Sequence, residues 1–354
     1  MPHPFLHDEG THVRHPLLDR SLRPGDDGYA ELRALLDGGD ADAPETLLAE
    51  GWLVAPDHDP GPEFRLRIVS LELHSVCNDA CWFCPVSVAP RDRELMPDAL
   101  VESVLDQLAA PRHTYEAVFM NNYNEPTVDP RFVDHVAALT ARGLPVALLT
   151  NGSGLTPKRT DALVALGGLR HLGVNISSVD PERYRAQRSS RHLAAVLRNL
   201  DHAAHLDLAE RMELIVLGDD DAEHDREYEE IAARFAGTRF AVTRHRIMDR
   251  AGYFSFGARP ETPHERLCGC ENLGSRPLEH VHITASGRCV LCCEDYDENH
   301  VVGDLHRQTL DEILSAPAIA TLRRRIYGLE EAPPDFICRS CVFARTGGGV
   351  ASAS

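Results

Sequence analysis

Residues 66–85 read Leu66-Arg67-Ile68-Val69-Ser70-Leu71-Glu72-Leu73-His74-Ser75-Val76-Cys77-Asn78-Asp79-Ala80-Cys81-Trp82-Phe83-Cys84-Pro85. The apolar run over 66–73 predicts a buried strand, and three cysteines follow it at C-x3-C-x2-C spacing. Three thiolates are one ligand short of a closed tetrahedral site. A metal centre held this way keeps one position open to a group that is not protein. That marks the run as a reactive site. Its spacing alone also reads as part of a zinc site.

Working outward, strands are expected at 66–73, 117–121, 145–149, 171–176, 213–217 and 240–245. Helices with apolar residues three and four apart are expected between them, at 98–109, 132–141, 159–166, 192–207 and 226–235. This alternation predicts an α/β fold with a parallel sheet and crossover helices. Six units over 66–250 fit a partial (β/α)6 barrel better than a closed eightfold one. The cysteine run then lies at the carboxyl ends of the strands, where barrels place their chemistry.

Residues 1–65 read as a separate N-terminal unit, with helices at 29–36 and from 44, then a strand at 51–54, a helical, winged-helix-like order. Residues 251–345 form a third region. It holds seven of the ten cysteines, a hairpin around Ser286-Gly287 and a helix over 310–327. The last stretch, 346–354, is rich in Gly, Ala and Ser and is expected to be a flexible tail.

The net charge of −19 opposes binding to a phosphate backbone, so nucleic acid is not an expected partner. The run Arg323-Arg324-Arg325 is expected to be a solvated helix face. Residues 1–10 lack the basic start and apolar core of a secretory signal, and no apolar run reaches the ~18 residues of a membrane span. A cytoplasmic location is expected, with no membrane partner. In that reducing setting ten cysteines read as metal ligands before disulfides.

Polar residues recur at the ends of the expected strands: Tyr123-Asn124-Glu125-Pro126, Thr150-Asn151-Gly152 and Asn175-Ile176-Ser177. Together with Cys77, Cys81, Phe83 and Cys84, they resemble the radical S-adenosylmethionine (SAM) enzymes. The resemblance implies that Cys77, Cys81 and Cys84 ligate a 4Fe–4S cluster whose fourth iron takes SAM, with Phe83 beside the adenine. It implies cofactor contacts at Tyr123, Asn124, Glu125, Pro126, Asn151, Asn175 and Ser177. It also implies a carboxylate contact at Arg188 and an apolar floor for the adenine at 215–218, which includes Val216. Asn124 stands where the family usually has Gly.

Gly287 to Cys292 (G-x4-C) and Cys338-Arg339-Ser340-Cys341 (C-x2-C) resemble the family's SPASM/Twitch extension. The longer C-x2-C-x5-C-x3-C run of a full SPASM domain is absent. The resemblance therefore implies the shorter Twitch form, with one auxiliary 4Fe–4S cluster on Cys270, Cys292, Cys338 and Cys341. Cys268 rivals Cys270 and Cys293 rivals Cys292, and a structural zinc knot is the plainer alternative. Cys268, Cys289 and Cys293 are left over, as buried apolar residues or as a hydrogen-atom donor.

In this family a 5′-deoxyadenosyl radical abstracts hydrogen from substrate. The loop Cys81 to Pro85, the segment Tyr123 to Pro126, the Thr-Asn-Gly turn and Cys292-Cys293-Glu294-Asp295 are most similar to aminocyclitol-dehydrogenating members. The expectation is an oxidoreductase that dehydrogenates or epimerises a sugar or aminocyclitol in natural-product biosynthesis. Glu294 would sit at the substrate. His245, at the end of the sixth strand, is a candidate proton acceptor, with a surface role as the alternative. His280 and His282 read as structural. The alternative function is maturation of a ribosomally made precursor peptide, by crosslinking or epimerisation. In either case a flavodoxin- or ferredoxin-type electron donor is implied.

Overall fold

The computed structural model describes residues 1–346 except 40, 41 and 43. The tail expected over 346–354 lies almost wholly outside the described residues. The chain divides into two compact units: residues 67–259 with 281–310, and residues 1–66 with 260–280 and 311–354. The expected N-terminal and C-terminal regions thus share one unit, and 281–310 belongs with the barrel strands. Among the described residues, no helix is long and apolar enough to cross a membrane.

The larger unit is built on a nine-stranded sheet. Six parallel strands form most of it: β1 (Ile68–Leu71), β2 (Ala117–Phe119), β3 (Val146–Thr150), β4 (Leu169–Asn175), β5 (Ala209–Gly218) and β6 (Ala241–Arg246). Three more strands, β7 (His280–Ile283), β8 (Arg288–Val290) and β9 (Val301–Asp304), extend the β1 edge. Leu71, Val118, Leu148, Leu172, Val174 and Leu214 are fully buried. Strands this apolar are covered on both faces, as parallel sheets require, and each such side chain contributes about 1.5–3 kcal/mol of burial.

The crossovers are α1 (Asp98–Leu108), α2 (Phe132–Ala141), α3 (Pro157–Ala165), α4 (Pro181–Arg188), α5 (Leu193–Ala203) and α6 (Ala222–Arg234). The helix α4 was not expected. Its signals are in the sequence: the Asp180 carboxylate accepts from the Glu182 and Arg183 amides, and Pro181 opens the first turn. The β6 edge carries Arg244 and Arg246, which pair with Asp220 and Asp225. A charged edge of this kind resists pairing with another strand.

In the smaller unit, Val13, Leu22, Leu32, Leu47, Trp52 and Leu53 form an apolar cluster. It lies under a three-stranded antiparallel sheet (His7–Asp8, Val13–His15, Arg20–Leu22) and the helices Tyr29–Leu36 and Glu45–Ala49. The expected helix–helix–strand order is replaced by strands first. Gly28 has φ 80°, where a side chain would be strained, and a Cβ there would lie 2.8 Å from the Leu47 side chain and displace it. The expected helix over 310–327 breaks at Pro317 into Leu310–Leu314 and Pro317–Ile326.

The arginine run is not a solvated face. Arg323 is fully buried and donates to the Pro277, Gly61 and Leu314 carbonyls. Burial pulls its guanidinium down to about 9. Arg324 pairs with Asp59, and Arg325 with Glu330. The three cations of this run are committed within the protein.

Candidate active site

The cysteine loop leaves β1 and is tied down from two directions. The Ala80 amide donates to the Arg188 carbonyl at 3.1 Å and the Trp82 amide to that of Gln187 at 3.2 Å, which fixes the loop to the end of α4. The Asn78 carboxamide donates to Ser153 Oγ at 2.9 Å and accepts from Asn151 Nδ2 at 2.8 Å, which fixes it to the turn after β3. Cys84 precedes a helical turn, Pro85–Val88, that starts on proline. Phe83 is buried with Cys81 and Ile247, and Trp82 is 40% exposed.

Burial pushes the Cys77 thiol up to about 12 and the Cys81 thiol up to about 11, and raises Cys84 as well. Thiols so placed hold their protons until a cation replaces them. Four thiolates around one zinc stand about 3.8 Å apart, from Zn–S of about 2.3 Å. Among the described residues, the only metal-ligand group with all its atoms within 4.8 Å is His3, His58 and Glu63. The histidine group is a hydrogen-bond set. The Phe5 amide donates to His3 Nδ1, which leaves the ring proton on Nε2, facing Glu63.

The strand ends converge on one carboxylate. Glu125, 3% exposed, accepts from the Thr127 amide and hydroxyl, from Thr150 Oγ1 at 2.6 Å and from the Asn151 amide at 2.6 Å. Burial raises its carboxyl, and these donors oppose the rise. Its side chain is thus spent inside the protein. The neighbouring Asn124 has a buried Nδ2 donor with no protein partner. That orphan donor suits an acceptor on a bound cofactor. Ser177 and Val216 are fully buried at the ends of β4 and β5, and Asn175 is half-buried beside them.

After β6 the chain turns through Arg250 and Ala251, both left-handed at φ 57° and 53°. Two such residues in succession are strained and re-aim the backbone. Arg250 Nη1 lies 3.5 Å from Glu294 Oε1, and Cys293 Sγ lies 3.5 Å from the same oxygen. The Tyr123 hydroxyl donates to the Cys293 carbonyl. Glu294 is 5% exposed, and its Oε2 and the Arg250 Nε are buried without partners. Burial opposes the Arg250 charge, but Glu294 and its neighbours raise it further, so it stays a cation.

A second pair underlies this one. Glu72, fully buried at the end of β1, accepts from Arg91 at 2.5 Å and from the Tyr123 amide at 3.1 Å. The Arg91 guanidinium lies over the Tyr123 and Tyr296 rings. Sequence reasoning missed Glu72, Arg91 and Arg250. Glu72 had a signal, a carboxylate inside an apolar run. Arg250 followed a strand end by four residues.

The remaining candidates are dispersed. His245 is exposed on the β6 edge and is bonded to none of the groups around Glu294. Cys289 is fully buried within the β8 ladder, paired with Ile283 and Gly303. Cys268 and Cys270 belong to the smaller unit. There Gly269–Cys270 pairs with Ala344–Arg345, and the Cys341 amide donates to the Cys338 carbonyl at 3.3 Å. Cys270 thus lies in a short ladder, Cys338 and Cys341 lie in the 3-10 turn Ile337–Ser340 and at its end, and Cys292 and Cys293 belong to the larger unit.

Residues 71–232 match the Radical SAM superfamily, and residues 270–342 match SPASM, an iron–sulfur cluster-binding domain. The chain is 33% identical over 104 residues to the S-adenosyl-L-methionine-dependent 2-deoxy-scyllo-inosamine dehydrogenase of Niallia circulans. That match covers 28% of this chain and 41% of the relative. It is 30% identical over 102 residues to a tungsten-containing aldehyde ferredoxin oxidoreductase cofactor-modifying protein of Pyrococcus furiosus, covering 29% of this chain and 28% of that one. The chain thus matches well under half the length of either curated relative. The structure of Streptococcus suis SuiB bound to its precursor peptide SuiA superposes with a TM-score of 0.56 at 12% identity, over 96% of this chain and 93% of that one. This likeness is one of fold. The cysteine loop, the strand-end residues and the two matched domains together make the chain a member of the radical SAM superfamily, an enzyme with a C-terminal SPASM iron–sulfur domain.

Proposed function

We propose that the protein dehydrogenates or epimerises a small polyhydroxylated molecule, of the sugar or aminocyclitol class, in natural-product biosynthesis. The observation that carries this reading is the juxtaposition of Glu294 and Arg250, whose Oε1 and Nη1 lie 3.5 Å apart while Glu294 Oε2 and Arg250 Nε are a buried acceptor and a buried donor that lack protein partners. A hydroxyl-bearing carbon offers both complementary groups, and an unpaired buried carboxylate selects for such a ligand. The partial match to an aminocyclitol dehydrogenase agrees with it.

When bound, the clusters and SAM supply hydrogen-atom abstraction and take up the electron that leaves. The chain's own residues do the rest. Asn124, Asn151, Asn175 and Ser177 hold the cofactor, over an apolar floor that includes Phe83 and Val216. Glu294 accepts the hydroxyl proton as the substrate carbon loses its hydrogen, which leaves a ketone. Arg250 holds the neighbouring oxygen, and the Tyr123 and Tyr296 rings keep water out. In the epimerising variant, Cys293, the thiol beside Glu294, would return a hydrogen atom to the substrate radical, and the thiyl left behind would regain one electron from the flavodoxin- or ferredoxin-type donor and a proton from solvent. Cys270, Cys338 and Cys341 would serve the auxiliary cluster, and a flavodoxin- or ferredoxin-type protein would be the electron source.

The test is anaerobic reconstitution followed by incubation with deuterated sugars and aminocyclitols. Deuterium in 5′-deoxyadenosine together with a ketone supports dehydrogenation. Solvent deuterium in a recovered epimer supports epimerisation. Cleavage that persists with Cys77, Cys81 and Cys84 all changed to Ala would remove the chemistry from this loop. Modification of a precursor peptide with no turnover of any sugar would replace the substrate class.

A further inference from the structure

Arg188 closes α4 and is 2% exposed. Its guanidinium has five hydrogens to place. Nε donates to Ser177 Oγ at 3.0 Å. Nη2 donates to the Asn175 carbonyl at 2.6 Å and to Asn175 Oδ1 at 2.5 Å. Nη1 faces Asp79 Oδ2 at 3.4 Å and Cys81 Sγ at 3.7 Å. Five hydrogens therefore meet five acceptors, all of them protein. The backbone adds a sixth tie, because the Arg188 carbonyl accepts from the Ala80 amide within the cysteine loop.

We infer that Arg188 is a positioning residue of the cluster loop that acts through Cys81, and not a ligand of the cofactor's carboxylate. A carboxylate could be bound only by breaking a buried bond already made. Asp79 and Cys81 are two residues apart in the loop, and the guanidinium bridges them to the end of β4. A cation beside a cluster thiolate favours the reduced, more negative state, and the buried Asp79 carboxylate opposes it. The pair therefore sets how readily the site accepts its electron. The inference rests on membership of the superfamily and not on the substrate reading, so either can fail alone.

The experiment is a redox titration of the loaded full-length enzyme, followed by EPR. The signal read is that of the cluster whose spectrum changes when SAM is added. SAM affinity per loaded cluster is measured in parallel by calorimetry. Arg188→Gln is expected to lower the reduction equilibrium about tenfold, a fall of about 59 mV for one electron. Asp79→Asn is expected to move it in the opposite direction, and Arg188→Lys to stay within about threefold of the parent. SAM affinity is expected to stay within about threefold in Asp79→Asn, while the Arg188 variants, which also release Asn175 and Ser177, are judged on the potential. A loss of SAM affinity of about tenfold or more with an unmoved potential would overturn the inference. If Arg188→Gln fails to load iron, Asp79→Asn decides: an unmoved potential there overturns it equally.

Discussion

Glu125 illustrates how a motif residue acts at a distance from the chemistry it is associated with. Its carboxylate gathers the Thr127 and Thr150 hydroxyls and two backbone amides, which draws the β2 and β3 ends together beneath the cysteine loop. Glu125→Ala strands four donors in a dry interior and is expected to cost about 3–5 kcal/mol, read by chemical denaturation of the metal-free protein. Glu294 makes the contrasting case, with one oxygen paired and one not. Glu294→Gln is expected to lower product formation by about 10²–10⁴-fold while uncoupled 5′-deoxyadenosine release continues, measured by chromatography of both products. The Glu-Pro pair was legible in the sequence, and so was Glu294. The direction of the Glu125 side chain was not, because its partners lie on another strand end. Arg250 was illegible for a related reason: its position depends on two left-handed residues that no local pattern announces.

Among the elements, the six parallel strands were readable because each is an apolar run between turn signals. The sheet of the smaller unit was not, since its strands have two or three residues each, too few for any periodicity to register. That sheet has a pH signature of its own. Burial, aided by Arg345 and Arg14, pulls His7 down to about 3, and burial pulls His15 down to about 4. Both rings are neutral in the folded state and take protons more readily once unfolded. Their contribution is therefore complete above an ordinary histidine value of about 6.5 and is lost as pH falls through about 4 and then 3. Unfolding followed by tryptophan fluorescence, with Trp52 buried in this cluster, is expected to show an acid limb over that range. His15→Gln, which keeps a donor for the Gly51 carbonyl, is expected to flatten it.

For the whole molecule, a linear reading divides the chain at composition changes, and it placed 251–345 in one region. The fold instead assigns 281–310 to the barrel sheet and gathers 1–66, 260–280 and 311–354 into the other unit. Discontinuity of this kind is set by pairings hundreds of residues apart, which leave no local trace. Loading iron at neutral pH should release protons, because burial holds the Cys77 and Cys81 thiols protonated until metal arrives. A pH-stat during anaerobic reconstitution reads this directly. A triple Cys77, Cys81 and Cys84→Ala variant is expected to lose that share of the release and keep the share from the SPASM cysteines.

The same discontinuity governs how the chain is made. The His7 ring bonds the Tyr327 hydroxyl at 2.8 Å, 320 residues further on, and Arg14 pairs with Glu279. A ribosome adding about 5–20 residues per second needs roughly 15–60 s to pass from residue 66 to residue 345. Throughout that interval the first segment has its apolar cluster but not Tyr327, which bonds His7 and packs on Phe5. The barrel, whose segments nearly all precede residue 260, is complete enough to fold while the segment that emerged first still waits for the one that emerges last.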